Sequence, residues 1–281
     1  MRNRVASVVA CAVACSGCLS SATLIRVKGD GSGTIEQTLL FNASSIDKAF
    51  SGMGLKSTGG SKSSGKSSTI KAEDLTKDLD RLGNGVSLVS VRPVKLPDGF
   101  EGAAVTFAFD DVSKLRTEDF LMPGPAAEGK KSGGGDMDGI QFVMDRRPDG
   151  TSILTARFQE STKGAGVEQS GKKSKDSPDL DDPEVRQMVK TLFKGFRIAV
   201  DLEVAGEIIN TNADYVDGKR ITLAEINIER LISESKKLEA LDKVLSPEAS
   251  IAKVRPHLKD IKGLKINHPV VTVQFRPSPG A

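Results

Sequence analysis

The sequence predicts an α+β domain: a twisted antiparallel sheet with helices packed on one face, long flexible insertions, and a helical C-terminal segment. Three observations lead there. Apolar and polar residues alternate with period two along most of the ordered-looking stretches, which is the strand signal. The alternation is one-sided, as in an antiparallel sheet with one covered face. Between the strands lie stretches with apolar residues at helical spacing, the natural cover for that face.

The elements follow in order. Thr23–Lys28 and Thr34–Phe41 flank Gly29-Asp30-Gly31-Ser32-Gly33, a hairpin turn, and Ile35, Leu39 and Phe41 share a face of the second arm. Val86–Val94 reads as a third strand, and Ala103–Phe109 as a fourth with Val105, Phe107 and Phe109 on one face. Ile140–Asp145 and Ser152–Glu160 make a second hairpin across Arg146–Gly150. In Arg197–Val204, Ile198, Val200, Leu202 and Val204 point inward and Asp201 and Glu203 outward, and Gly206 then permits a kink or bulge. Glu207–Ala213 and Lys219–Leu223 are expected to pair through the hairpin dipeptide Asp217-Gly218.

Helices are expected at Ser45–Phe50, at Ala72–Leu82, and behind the Asp182-Pro183 cap, where Val185, Met188, Val189, Leu192 and Phe193 recur at helical spacing. Ala224 to Ile261 is expected to be mostly helical, broken near Ser246-Pro247 and Arg255-Pro256, before a last strand over Leu264–Phe275. Three tracts rich in Gly, Ser and Lys, at 57–68, 122–138 and 161–177, bury too little apolar surface to order themselves. The expected organisation is a leader over 1–17, the α+β domain over 18–223 and the helical segment with its final strand over 224–281, packed on the same domain.

The leader carries the functional information. Arg2 and Arg4 precede an apolar run of ten residues, Val5–Ala14, and then Cys15-Ser16-Gly17-Cys18. A basic start, a short apolar stretch and small residues before a cysteine form a secretory signal. The run is half the roughly 20 residues a spanning helix needs. The last four residues match a bacterial lipobox, with Cys15 where Leu is usual, so Cys18 is the expected lipid attachment site. The chain is therefore expected outside the cytoplasm, at the cell envelope, held to a bacterial membrane by two or more acyl chains. Each buried CH2 of such a chain contributes about 0.8 kcal/mol.

Composition narrows the rest. All three cysteines, Cys11, Cys15 and Cys18, fall within the first 18 residues. After cleavage the one remaining thiol is acylated, so no disulfide framework, cysteine metal site or thiol nucleophile is expected. Without Arg2 and Arg4, 38 Lys and Arg face 37 Asp and Glu. That balance, the absence of Trp and the single Tyr215 argue against nucleic acid as a partner.

Patterns that resemble catalytic grammar fail on context. Gly60–Ser67 matches G-x-x-x-x-G-K-[ST], but Ser51–Lys56 before it is not a buried strand and the tract is of low complexity. His257 and His268 lack a partner at metal spacing, and no HExxH or nucleophile elbow occurs. Asp136 with Asp138, and the Asp176–Glu184 cluster with Asp179, Asp181 and Asp182, lack the full calcium-loop grammar. Asp110 and Asp111 are a carboxylate pair at a strand end. The chain is expected to be non-enzymatic and to use no cofactor or metal.

Leu24–Thr34 and Phe196–Leu223, the latter with Val204-Ala205-Gly206-Glu207-Ile208-Ile209 and Asp217-Gly218, resemble the LppM-type domain of bacterial lipoproteins known from mycobacteria. Family members tend to carry Trp where this chain has Leu223, and often Pro where it has Ala205. The resemblance implies a lipid-anchored α+β domain that holds apolar or lipid ligands, and it supplies no catalytic residues. With the sheet-plus-helix pattern it points to a membrane-tethered domain with an apolar pocket lined by Phe107, Phe109, Phe142, Phe193, Val200 and Leu202. The competing reading is that these side chains fill a dry core. Two further readings stay open: an assembly subunit docking on an envelope protein through C-terminal helices that carry Leu231, Leu238 and Leu241, and a hydrolase using Asp110, Asp111 or a histidine.

Overall fold

The computed structural model describes residues 19–41, 79–97, 99–117, 137–160, 195–234 and 251–278, with 187, 190 and 193 between them. The leader, Cys18, the Gly60–Ser67 pattern, the two calcium-like clusters, the expected helix at Ser45–Phe50 and the three Gly/Ser/Lys tracts lie outside these residues, apart from the last two residues of the second tract.

The strands are β1 (Leu19–Val27), β2 (Gly33–Phe41), β3 (Val86–Lys95), β4 (Glu101–Phe109), β5 (Met137–Arg146), β6 (Ser152–Glu160), β7 (Arg197–Val204), β8 (Gly206–Thr211), β9 (Val216–Asp217), β10 (Arg220–Asn227), β11 (Leu264–Ile266) and β12 (Val270–Pro277). They form two sheets. The larger has the order β11-β10-β7-β1-β2-β4-β3, with β9 on β10; the smaller has the order β5-β6-β12-β8. β1 and β7 run parallel, with Ile25 opposite Leu202. The other described pairs are antiparallel.

One buried cluster draws on both sheets. Ile25, Ile35, Val105, Phe107, Phe109, Val200, Leu202 and Leu223 come from the larger; Ile140, Phe142, Leu154, Phe158, Val273 and Phe275 come from the smaller. Each large apolar side chain taken out of water contributes about 1.5–3 kcal/mol, so this shared layer is what joins the sheets. A second, smaller cluster of Leu231, Leu258 and Ile261 sits under Ile226, Leu264 and Ile266, at the β10–β11 side.

This architecture corrects the α+β expectation. The partner of the large sheet's inner face is a second sheet, not a layer of helices. The described helices are short: α1 (Leu79–Leu82), α2 (Ile228–Ile232) and α3 (Ile251–Leu258), with a single 3-10 turn at Val112–Lys114. The described residues of the C-terminal segment are not mostly helical as expected. Ala224–Asn227 continues β10, and β11 and β12 follow α3. Alternation reports that a strand face is covered but not what covers it, and strands assigned to one sheet supply the cover here.

The chain changes sheets five times between β4 and β12, and two of these crossings revise the expected strands. At Ala205-Gly206 the chain leaves β7 and enters β8 of the smaller sheet, where Ala205 N–H donates to the Val27 carbonyl at 2.8 Å. At Asn267–Pro269 it passes from β11 to β12, so the stretch read as one strand over Leu264–Phe275 is two. The expected pairing of Glu207–Ala213 with Lys219–Leu223 is corrected in the same way. The Asp217-Gly218 turn forms, but β10 takes the two-residue β9 as its partner while β8 pairs with β12.

Candidate functional site

Five of the six expected pocket residues come together. Phe107 (3% exposed), Phe109 (2%), Phe142 (1%), Val200 (0%) and Leu202 (0%) meet between the sheets, within the shared cluster. They lie there because they fall on the inward phase of β4, β5 and β7. Phe193 is not part of that cluster; it is half-buried and meets Phe196 edge-on with ring centroids 5.9 Å apart. An apolar molecule between the sheets would have to displace side chains that already touch.

The carboxylate pair separates into two roles. Asp111 Oδ1 accepts from the Ser113 N–H at 3.0 Å and the Ser113 hydroxyl at 2.7 Å, which caps the 3-10 turn. The Ser113 hydroxyl and amide, with Lys114 nearby, hold its pKa below the usual carboxylate value. Asp110 is exposed beside Gly85. The same local turn recurs at Asp30 with Ser32 and at Asp149 with Thr151, each carboxylate accepting from the amide and hydroxyl two residues on. Both are likewise held low by those hydrogen bonds. Asp111 is therefore a turn anchor with its best lone pairs already used.

His268 enters a polar cluster that the sequence did not announce. Asn267, fully buried at the β11–β12 crossing, donates from Nδ2 to the Thr222 carbonyl at 3.0 Å. Its Oδ1 accepts from Asp214 N–H at 3.2 Å and His268 N–H at 2.9 Å. The Asp214 carboxylate pairs with Arg255 of α3 and, at 3.1 Å, with Lys259. Arg255 also approaches His268 Nε2 at 2.9 Å. A guanidinium only donates, so Nε2 accepts and the ring is neutral with its proton on Nδ1. Burial first, then the Arg255 and Lys259 charges, pushes the imidazole below its ordinary value. Asp214 Oδ1 lies 3.7 Å from Nε2, but Lys259 already occupies that oxygen. The nitrogen a hydrolase would use as a base is thus engaged by arginine. His257 is exposed on α3. Among the described residues no group of three or more His, Cys, Asp or Glu is placed to hold a metal ion.

A second polar system crosses the large sheet on the face away from the core. Arg220, Glu203, Arg26, Glu36 and Arg92 alternate in sign over β10, β7, β1, β2 and β3. Successive contacts measure 3.2, 3.3, 3.0 and 3.1 Å. All five are partly exposed, so each pair contributes up to about 1 kcal/mol and is weakened by salt. Nearby, Glu225 is buried, which alone would raise its pKa; Arg197 at 3.4 Å and Lys265 at 3.0 Å outweigh burial and hold it low. Asp201 on β7 is 9% exposed, and its Oδ1 has no hydrogen-bond partner.

Cys18, the expected lipid site, is outside the described residues, but its neighbour fixes its place in the chain. β1 starts at Leu19, the next residue, and pairs at once: Leu19 with Phe41 of β2, and Ser20 with Arg197 of β7. No described helix is long and apolar enough to cross a membrane. Leu231, offered as a docking residue, is buried within the chain (9% exposed) against Leu258 and Ile261; Leu238 and Leu241 lie outside the described residues.

The fold thus defines a β-rich, two-sheet domain whose described polar clusters brace strands. No protein-family model matches the chain, and no curated protein matches it. Among solved structures it is similar to the Mycobacterium tuberculosis LppM folded domain determined by NMR, with 12% identity over 94% of each chain and a TM-score of 0.30. At that TM-score the likeness carries no weight for fold or function.

Sequence reasoning missed Asp214, Arg255, Lys259 and Asn267. Asp214 and Arg255 lie 41 residues apart and meet through a strand crossing that alternation does not reveal. The available signal was Asn267-His268-Pro269, a polar pair before proline inside an apolar run.

Proposed function

We propose that the chain is a non-enzymatic bacterial lipoprotein of the cell envelope, tethered outside the cytoplasm by acylated Cys18. The segment Met1–Cys18 carries this reading: a basic start, a ten-residue, mostly apolar run, and a lipobox-like Cys-Ser-Gly-Cys. The fold is compatible with it, since a disulfide-free exported domain must be held by its apolar core, and both sheets contribute to one. Cys18→Ala tests it. Wild-type protein sediments with membranes and Cys18→Ala does not; equal sedimentation of the two contradicts the anchor.

The same reading gives the domain an apolar or lipid ligand as its partner. Phe107, Phe109, Phe142, Val200 and Leu202 form its site if the sheets part around the ligand, with Phe193 outside it. Binding and stability are then linked. Native mass spectrometry of protein taken from its own membrane finds a bound lipid, and stripping it lowers Tm. The bare polypeptide mass with an unchanged Tm removes the ligand and leaves the anchor standing.

A further inference from the structure

We infer that one end of the large sheet, carrying Lys95, Leu96 and Arg197, rests on the lipid headgroups of the tethered protein. The inference builds on acylation of Cys18 and adds an orientation to it. The register supplies the argument. Leu19 of β1 is opposite Phe41 of β2, Phe41 opposite Glu101 of β4, and Glu101 opposite Lys95 of β3. On the other side Ser20 is opposite Arg197 of β7, and Arg197 opposite Asn227 of β10. These residues lie in two adjacent rows, one residue apart on β1, at the same end of the sheet. Cys18 is bonded directly to Leu19, so covalent geometry alone puts its Cα about 3.8 Å from that of Leu19.

A tether with no spacer cannot hold the sheet far from the bilayer. The β3–β4 turn leaves the Leu19 row, closed by Leu96 N–H to the Phe100 carbonyl at 2.7 Å. Three strand spacings separate it from β1, about 14 Å along the row. Its first residue, Leu96, is one step beyond Lys95, the same step that separates Cys18 from Leu19. Leu96 is a large apolar side chain left 38% exposed at this end. Lys95 beside it is exposed and paired with Glu101. An apolar tip flanked by the exposed Lys95–Glu101 pair suits the headgroup boundary, where an apolar side chain enters the interface and charged heads stay in water. The opposite end, with Lys28 in the β1–β2 turn, lies eight strand positions beyond Ser20, about 26 Å away.

The test uses full-length acylated protein on phosphatidylethanolamine–phosphatidylglycerol vesicles. Leu96→Cys and Lys28→Cys variants each add one free thiol, since lipid occupies Cys18. A nitroxide on residue 96 is expected to lose its collisions with a water-soluble nickel complex on vesicle binding, while one on residue 28 keeps them. Equal access at both positions on vesicle-bound protein overturns the orientation. Loss at residue 96 without vesicles also overturns it, since a second copy then covers that end. The mass of the Cys18 peptide from the same sample separates the two ideas: an acylated peptide with equal access rejects the orientation alone, and an unmodified peptide rejects the anchor and the orientation with it.

Discussion

Asn267 satisfies three backbone groups at the point where the chain changes sheets, and it does so with no exposure to water. Asn267→Ala leaves those groups unpaired, a loss of about 2–3 kcal/mol. The urea midpoint should fall with an unchanged slope; an unchanged midpoint would mean that the crossing does not depend on this side chain. His268 beside it gives a pH signature. Its folded pKa lies below the ordinary 6.5, so the unfolded chain binds the proton first. Stability is whole above pH 6.5 and declines as pH falls toward the lowered value. His268→Gln keeps an acceptor for Arg255 and loses that part of the slope; identical slopes in the two proteins would contradict the assignment. At this scale the sequence was legible where partners are local. The Asp-Gly-Ser turn at Asp30 and the Asp-Gly-Thr turn at Asp149 were read as turns and are turns. Asp214 with Arg255 was not legible, because nothing within either segment names the other.

Strand positions were legible because period-two alternation is a local property, and every expected strand has an observed counterpart. Sheet membership was not. Val204-Ala205-Gly206-Glu207 reads equally well as a bulge within one sheet or a passage between two. Gly206 makes the passage possible: a Cβ there would lie 2.2 Å from the Arg276 carbonyl oxygen, against backbone that cannot swing aside. Gly206→Ala should therefore destabilise by about 3 kcal/mol, read as a lower Tm. A Tm at the wild-type value would show that β8 can shift from β12 at no cost. Ala224–Asn227 was misread for a related reason. Its residues suit a helix that continues into Ile228–Ile232, but pairing with β7 and β11 overrides that propensity.

At the scale of the molecule, a sheet covered by helices was expected and the described residues form two sheets packed on each other instead. On β4 and β7 the expected inward residues Val105, Phe107, Phe109, Ile198, Val200, Leu202 and Val204 are buried, whereas Leu39 on β2 is half-buried beside a buried Leu40 and Asp201, expected outward, is buried; five of the expected pocket residues coincide with core residues because apolar side chains on one face look alike whether they line a cavity or fill it. The proposed address is read from composition and spacing in Met1–Cys18 rather than from tertiary contact. What joins address to fold is that Cys18 is followed without a spacer by β1, in the body of the large sheet. Intact-mass analysis of the amino-terminal peptide from protein matured in a bacterial envelope tests that junction most directly. A peptide that begins at Cys18 and carries acyl mass on it is the predicted result; one that retains Met1–Gly17, or begins at Cys18 unmodified, would contradict the tether.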